Sequence, residues 1–124
     1  MMKSAWQHKL SGLAALICAM SVAMSAYASH GFDGEAQHRL MTASYFAFAH
    51  GLSIIVLARV SSAKSNLFAC CFMLLGLVLF SGSLAGAALF QSSTILAPSG
   101  GSILILSWCW VAVNFFRLKK DDQS

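Results

Sequence analysis

Residues 65–116 read SNLFACCFMLLGLVLFSGSLAGAALFQSSTILAPSGGSILILSWCWVAVNFF and contain no Asp, Glu, Lys or Arg. A single helix crosses the hydrocarbon layer of a bilayer with about 20 apolar residues, so this stretch is long enough for two crossings and a turn. The polar residues 91–94, followed by Pro98-Ser99-Gly100-Gly101, predict where the chain turns, because Pro and Gly interrupt helices. The sequence therefore predicts helices near Leu67–Phe90 and Ser99–Leu118.

Two further uncharged runs lie upstream, from Leu10 to Gly31 and from Leu40 to Ala58. Each run has the length of one crossing, and together they predict helices near Leu10–Ala28 and Met41–Arg59. Backbone polar groups in lipid need internal partners, and these runs do not alternate as barrel strands do. The predicted fold is therefore all-α, a single membrane domain covering residues 1–124 with a bundle of four transmembrane helices.

The composition agrees with this reading. The chain has 124 residues, of which 58% are hydrophobic and only 10% are charged. Soluble domains carry roughly 25% charged residues, which they need to cover their surface. The composition excludes an ordinary soluble enzyme, a disordered chain and a disulfide-rich secreted scaffold. The lipid bilayer is the expected environment.

The charged residues predict the orientation of the helices. With four crossings, seven of the eight Lys and Arg residues fall on one side of the membrane: Lys3, Lys9, Arg59, Lys64, Arg117, Lys119 and Lys120. The other side keeps Arg39 together with Asp33 and Glu35. The positive-inside rule then predicts that both termini are cytoplasmic, in a multi-pass protein of the bacterial inner membrane. The basic residues are not interleaved with aromatic ones, so nucleic-acid binding is not expected.

The first apolar run also has features of a secretory signal. Lys3 and Lys9 precede it, and Ala26-Tyr27-Ala28 has the A-x-A form of a cleavage site. The run is longer than the roughly 7–15 apolar residues of a signal peptide. Its small residues also recur every fourth position, as in a helix contact surface: Ser11, Ala15, Ala19 and Ala23. We expect the first helix to be retained and to pack through this stripe, with cleavage after Ala28 as the alternative.

His50 is the ionisable side chain predicted to lie deepest in the membrane, roughly 13 Å from the end of its helix at 1.5 Å per residue. An ionisable group at such a depth marks a candidate functional site. Two interpretations remain open. A neutral imidazole can hydrogen-bond a neighbouring helix, or His50 can serve a small permease or proton-linked carrier together with Tyr45 and Ser81. The first is favoured because no Asp or Glu within the spans accompanies His50.

Small residues predict where helices approach each other closely. Gly82 and Gly86 form a GxxxG pair in the third helix, and the second helix carries Ala43, Ala47 and Gly51 at the same spacing. Such surfaces let helix backbones pack against each other in lipid. We expect these two surfaces to pack within the chain rather than to mediate self-association.

Motifs that would indicate an enzyme are missing from the sequence. It has no zinc-type Cys and His spacing, phosphate-binding loop, nucleophile elbow or paired carboxylates. We therefore expect no catalytic residue, metal or cofactor. Asn114 and Gln91 lie near opposite membrane surfaces, where both can reach interfacial water. The predicted function is a structural or partner-binding membrane component, whose partner is another membrane protein or a second copy of the chain.

Four short motifs occur in an order and at spacings typical of a known family: Ala28-Ser29-His30-Gly31-Phe32, Tyr45 with Ala49-His50-Gly51-Leu52, Leu79-Phe80-Ser81-Gly82-Ser83-Leu84, and Leu96-Ala97-Pro98-Ser99-Gly100-Gly101 followed by Trp108. From about Leu10 to Phe116 the chain resembles domain-of-unknown-function family 423, small inner-membrane proteins related to eukaryotic transmembrane protein 256. Ala97 stands where the family usually has Thr, and Ser29 replaces an Ala. The resemblance implies a retained first helix and no established activity.

These motifs complete the set of candidate functional or packing residues. The set consists of His50, Tyr45, His30, Ser81, Gly82, Gly86, Pro98, Gly100 and Gly101.

Overall fold

The computed structural model describes the backbone of residues 2–122 and the side chains of residues 5–118, and within these ranges it contains four helices and no strand. The helices are α1 (Met2–Gly31), α2 (Gly34–Val60), α3 (Lys64–Phe90) and α4 (Leu96–Asp122). All four are long and apolar enough to cross a membrane. The predicted all-α fold with four transmembrane helices is confirmed.

Each predicted segment lies inside one of these helices, but the helices extend further. α1 begins at Met2 rather than near Leu10, and α2 begins at Gly34 rather than near Met41. The reason is that an apolar run marks the part of a helix that lies in hydrocarbon. Helical hydrogen bonding continues beyond it into the headgroup region, where charged side chains are tolerated.

The turn between α3 and α4 occupies only the first part of the predicted break. The polar residues 91–94 lie between the helices as predicted, whereas Pro98–Gly101 belong to the first turns of α4, which begins at Leu96. Pro98 is accommodated there because the first turn of a helix does not use all of its amide protons. The chain reverses after Gln91, which ends α3 in the left-handed conformation with φ of 54°.

The helices pack in the order in which they follow each other along the chain. Each helix contacts the next, and α1 also touches α3, whereas no Cα of α4 lies within 8 Å of a Cα of α1 or α2 among the described residues. Two glutamines join α1 and α2 at opposite ends. Gln7 Nε2 donates to Ala58 O (2.7 Å), and Gln37 Nε2 donates to Ala28 O (3.2 Å). α1 and α2 therefore form an antiparallel hairpin connected at both ends.

The face that α1 buries differs from the predicted one. Ala15, Ala19 and Ala23 are exposed, whereas Leu10 and Ala14 are buried in the core. The prediction that the small-residue stripe packs against the bundle is therefore wrong. Lipid is as apolar as a protein core, so alanine can face lipid without a penalty, and small size alone does not identify the packed face.

The charged residues separate to the two ends of the bundle. At one end of the bundle α1 and α3 begin and α2 and α4 end. This end carries four of the described basic side chains, Lys9, Arg59, Lys64 and Arg117, and we call it the cationic end. Lys3, Lys119 and Lys120 lie outside the described side chains. At the opposite end, Arg39 forms an ion pair with Glu35 at 2.5 Å.

Candidate functional site

His50 lies on α2 with only 7% of its surface exposed, and both of its ring nitrogens are hydrogen-bonded. Its Nδ1 lies 2.8 Å from Phe46 O, one helical turn earlier, and its Nε2 lies 3.0 Å from the indole Nε1 of Trp108 on α4. An indole N–H can only donate, so Nε2 accepts and the imidazole proton resides on Nδ1. The arrangement specifies one neutral tautomer of His50.

Aromatic rings enclose this hydrogen bond. Phe46 stacks on the imidazole with ring centroids 5.8 Å apart and an interplanar angle of 11°, and the Trp108 ring is tilted by 60° at 5.9 Å. Phe46 in turn contacts Phe80 of α3, with centroids 4.8 Å apart. Residues from α2, α3 and α4 therefore meet in one aromatic cluster around His50. The cluster joins α4 to α2 although their backbones do not approach closely.

Tyr45 and Ser81 do not join His50 in a shared site. Tyr45 is 62% exposed and lines a cavity on the other side of α2, next to Ser21 of α1 and Ser44. Ser81 is buried and its Oγ donates to Ala43 O on α2 (2.9 Å). The three side chains predicted to form a carrier site therefore have separate partners.

The remaining candidate residues also lie apart from His50. His30 is exposed at the end of α1, and Pro98 and Gly101 line a shallow surface cavity with Arg39 at the end opposite the cationic end. Within residues 5–118, no group of three or more His, Cys, Asp or Glu side chains is placed to hold a metal ion.

The glycines that bring helices together are not the ones that the GxxxG pattern predicts. Gly82 is exposed, and a β-carbon added there would meet nothing within 4 Å, while one on Gly86 would contact only Ser92 of the following turn. The expectation that this pair packs against another helix of the chain is wrong. The close crossing of α3 and α4 is instead formed by Gly76 and Gly100, where a β-carbon on Gly76 would lie 3.1 Å from Gly100 O.

Gly51 is buried as predicted, but it faces α1 rather than α3. A β-carbon on Gly51 would lie 2.8 Å from Cys18 Sγ and 3.1 Å from Ala14 O. The small residues of α2 therefore contact two neighbouring helices. Gly51 packs against α1, and Ala43 O accepts the hydrogen bond from Ser81 of α3.

A second polar cluster, at the cationic end, is not apparent from the sequence. Trp110 Nε1 donates to Ser65 Oγ (3.0 Å), and Ser65 Oγ donates to Asn114 Oδ1 (2.9 Å), which connects α3 and α4. Trp110 lies in the predicted fourth helix, but its position in the sequence does not identify its partner. Each indole N–H within an apolar run needs an acceptor, and this requirement was the available signal.

The comparisons with known proteins identify a family without assigning an activity. The family model described as a protein of unknown function (DUF423) matches residues 24–101. A UPF0382 membrane protein of Staphylococcus haemolyticus is 33% identical over 113 residues, which cover 85% of this chain and 93% of that protein. One from Haemophilus influenzae is 30% identical over 122 residues, covering 91% and 98%. No solved structure matches significantly. The resemblance inferred from the four motifs is confirmed.

Proposed function

The chain belongs to the DUF423 family, described as proteins of unknown function, and its relatives are named membrane proteins; on this premise we propose that it is a structural, partner-binding component of the bacterial inner membrane without catalytic activity. In this proposal the cationic end faces the cytoplasm, because basic residues next to transmembrane helices are retained on that side. Both termini are then cytoplasmic.

The observation that carries the proposal is how the buried polar side chains are used. Among the described side chains, Ser11 Oγ and Asn114 Nδ2 are shielded without a partner, but all six residues that are buried as a whole form hydrogen bonds within the chain: Ser21, Ser44, His50, Asn66, Ser81 and Ser107. Catalysis or transport requires polar groups that can exchange their partners for a substrate or a proton. Here these groups bind backbone carbonyls and neighbouring helices, which is what a structural unit requires.

The geometry of His50 supports a structural role over a proton-linked carrier. Protonation would place a hydrogen on Nε2, where it would face the Trp108 indole N–H and break the hydrogen bond between them. The imidazole therefore acts as a fixed connection between α2 and α4.

Partner binding is supported by the unused glycine surface of α3. Gly82 lies on the exposed side of α3 with open space around it. A helix of another protein or of a second copy can approach the α3 backbone closely there, as in other small-residue contacts in membranes.

Proton flux measurements test the structural role of His50. The purified protein is reconstituted into vesicles that contain a pH-sensitive dye, and a membrane potential is imposed. We expect the proton flux to equal that of protein-free vesicles, both for the natural sequence and for His50→Gln. A flux that the natural sequence supports and His50→Gln loses would establish the carrier instead.

Site-specific photocrosslinking in native membranes tests partner binding. A photoreactive residue at position 78, one turn from Gly82, is compared with one at position 16, because Val78 and Leu16 are 56% and 62% exposed and lie equally far along α3 and α1 from the cationic end. We expect a discrete protein adduct from position 78 and only lipid adducts from position 16. The proposal fails if position 78 also yields lipid adducts alone.

A further inference from the structure

A cavity of about 160 Å³ lies at the cationic end, between the turn that joins α2 to α3 and the last turns of α4. Its polar lining residues are Ser61, Ser65, Asn66, Asn114 and Arg117. The volume is far above the roughly 10–15 Å³ that a single water molecule requires. The cavity can therefore hold a group of several heavy atoms.

The hydrogen-bond chain beside this cavity has a fixed direction. The Trp110 indole can only donate, so Ser65 Oγ accepts from it and uses its own proton for Asn114 Oδ1. The orientation of the Asn114 amide follows, with Oδ1 turned towards Ser65 and the two N–H groups of Nδ2 turned away from it.

Asn114 consequently has donors without an acceptor. Its Nδ2 is shielded from solvent and has no hydrogen-bond partner among the described residues, contrary to the expectation that this side chain reaches interfacial water. A buried donor without an acceptor costs about 1–3 kcal/mol. A ligand that brings an acceptor oxygen to this place is favoured for that reason.

The surroundings of the cavity favour an anion. Arg117 lines the cavity, and the acidic residues among the described side chains, Asp33 and Glu35, lie at the opposite end of the bundle. Ala63 precedes α3 without a side-chain cap, and the first turn of α3 contains no acidic residue. The partial positive charge of this helix start is therefore not neutralised by its own side chains.

The other wall of the cavity is apolar and continues onto the surface that faces lipid. It is formed by Val60, Phe115 and Leu118, which are 53%, 44% and 46% exposed. A ligand that combines an anionic group with hydrocarbon chains matches both walls.

We propose that this cavity binds the phosphate of an anionic phospholipid. The Arg117 guanidinium donates hydrogen bonds to phosphate oxygens, a small side-chain movement opens the shielded Asn114 Nδ2 to one of these oxygens, and the acyl chains lie along Val60, Phe115 and Leu118. Asn66 maintains the shape of the cavity, because its Nδ2 donates to Leu57 O (2.6 Å) and Ser61 O (2.9 Å) and thereby fixes the turn. The inference requires the membrane location but not the proposed function.

Native mass spectrometry of the detergent-purified protein tests the proposal. The protein is incubated with dioleoyl phosphatidylglycerol or with phosphatidylcholine of the same chains, and lipid adducts are counted. Arg117→Gln is compared with Arg59→Gln, which removes the same charge at the same end but does not line the cavity. Asn114→Asp retains the acceptor for Ser65 but replaces the free donors with a carboxylate oxygen, which also repels a phosphate. Circular dichroism and gel filtration verify that each variant is folded.

We expect the phosphatidylglycerol adduct to persist in Arg59→Gln and to weaken at least about tenfold in Arg117→Gln and Asn114→Asp, the factor for losing a hydrogen bond to a charged group. Phosphatidylcholine should bind more weakly than phosphatidylglycerol. If Arg59→Gln and Arg117→Gln lose the phosphatidylglycerol adduct equally, binding depends only on the net charge of the protein, and the proposed site is overturned. Displacement of the lipid by millimolar inorganic phosphate would assign the cavity to free phosphate and overturn the lipid assignment. If Asn114→Asp does not fold, the comparison of the two arginines decides, because Arg117 is exposed.

Discussion

Gly76 and Gly82 lie on the same helix less than two turns apart, yet their surroundings are opposite. A β-carbon on Gly76 would lie 2.8 Å from Ile103 Cγ2, while one on Gly82 would meet nothing within 4 Å. Only Gly82 belongs to a GxxxG pair. The pattern therefore identifies a glycine that no other helix contacts within the described part of the chain, and it misses Gly76, which packs against α4. The spacing of glycines therefore shows where a backbone can approach another helix, and the structure shows which of these places is occupied.

The occupied place is a contact between two backbones. A β-carbon on Gly100 would lie 2.8 Å from Gly76 O and would clash with the backbone nitrogen of Phe80. Close approach of this kind gains dispersion energy along both helices, and it tolerates no added atom because a backbone cannot rotate away as a side chain can. We expect substitutions at the two glycine surfaces to differ in effect accordingly.

The largest effect is expected at the α3–α4 crossing. Gly100→Ala should destabilise the protein by about 3 kcal/mol, because the methyl group forces the two helix backbones apart. Reversible unfolding in mixed micelles measures the change. Gly101→Ala is the matched control, since its β-carbon would lie 3.7 Å from the Phe80 ring, an ordinary contact. Equal stabilities of the two variants would mean that the crossing is not tightly packed.

A smaller effect is expected at Ser81, which lies on α3 between the two glycines. Ser81→Ala removes the hydrogen bond to Ala43 O on α2, and we expect a loss of about 1 kcal/mol in the same unfolding experiment. Ser102→Ala is the control because Ser102 Oγ bonds only to Pro98 O of its own helix. A loss at Ser102 as large as that at Ser81 would contradict an interhelical contribution.

The coupling between His50 and Trp108 is expected to be weaker still. A double-mutant cycle with His50→Ala and Trp108→Phe should give a coupling of about 0.6 kcal/mol, the usual value of an interhelical hydrogen bond in a membrane. Strictly additive effects of the two substitutions would show that the hydrogen bond does not connect α2 and α4.

The smallest effect on the isolated protein is expected at the unoccupied glycine. Gly82→Ala should change the unfolding free energy by less than about 0.5 kcal/mol, because the added methyl group meets no atom of the chain. In native membranes the larger Gly82→Leu should abolish the crosslinked adduct formed from a neighbouring exposed position, Val78. Strong destabilisation by Gly82→Ala would show that this surface is packed within the chain after all.

The four spans could be predicted from the sequence because the cost of placing charge in lipid is large and local. The packed faces could not be predicted in the same way. In a soluble helix the polar face shows which side is buried, whereas in α1 the buried Ala14 and the exposed Ala15 are the same residue type. Hydropathy therefore predicts the number of transmembrane helices but not the rotation of each helix about its axis, which decides the face that packs against the bundle.

The candidate site could be predicted only in part, because the sequence gives the depth of a side chain but not its partner on another helix. The depth of His50 followed from its position in an apolar run. Its partner did not, because Trp108 lies on another helix and is separated from it by the whole of α3. Asn114 was misjudged because its sequence position gives its depth but not the hydrogen bond from Ser65 that orients its amide.

The sequential packing of the helices has a consequence for biosynthesis. Every helix contacts the helix synthesised immediately before or after it, and Gln7 and Gln37 join α1 to α2 at both ends without a contribution from α3 or α4. No helix has to wait in the translocon for a distant partner. Assembly can therefore keep pace with translation, and the insertion of α4 brings the Trp108 indole to the imidazole of His50.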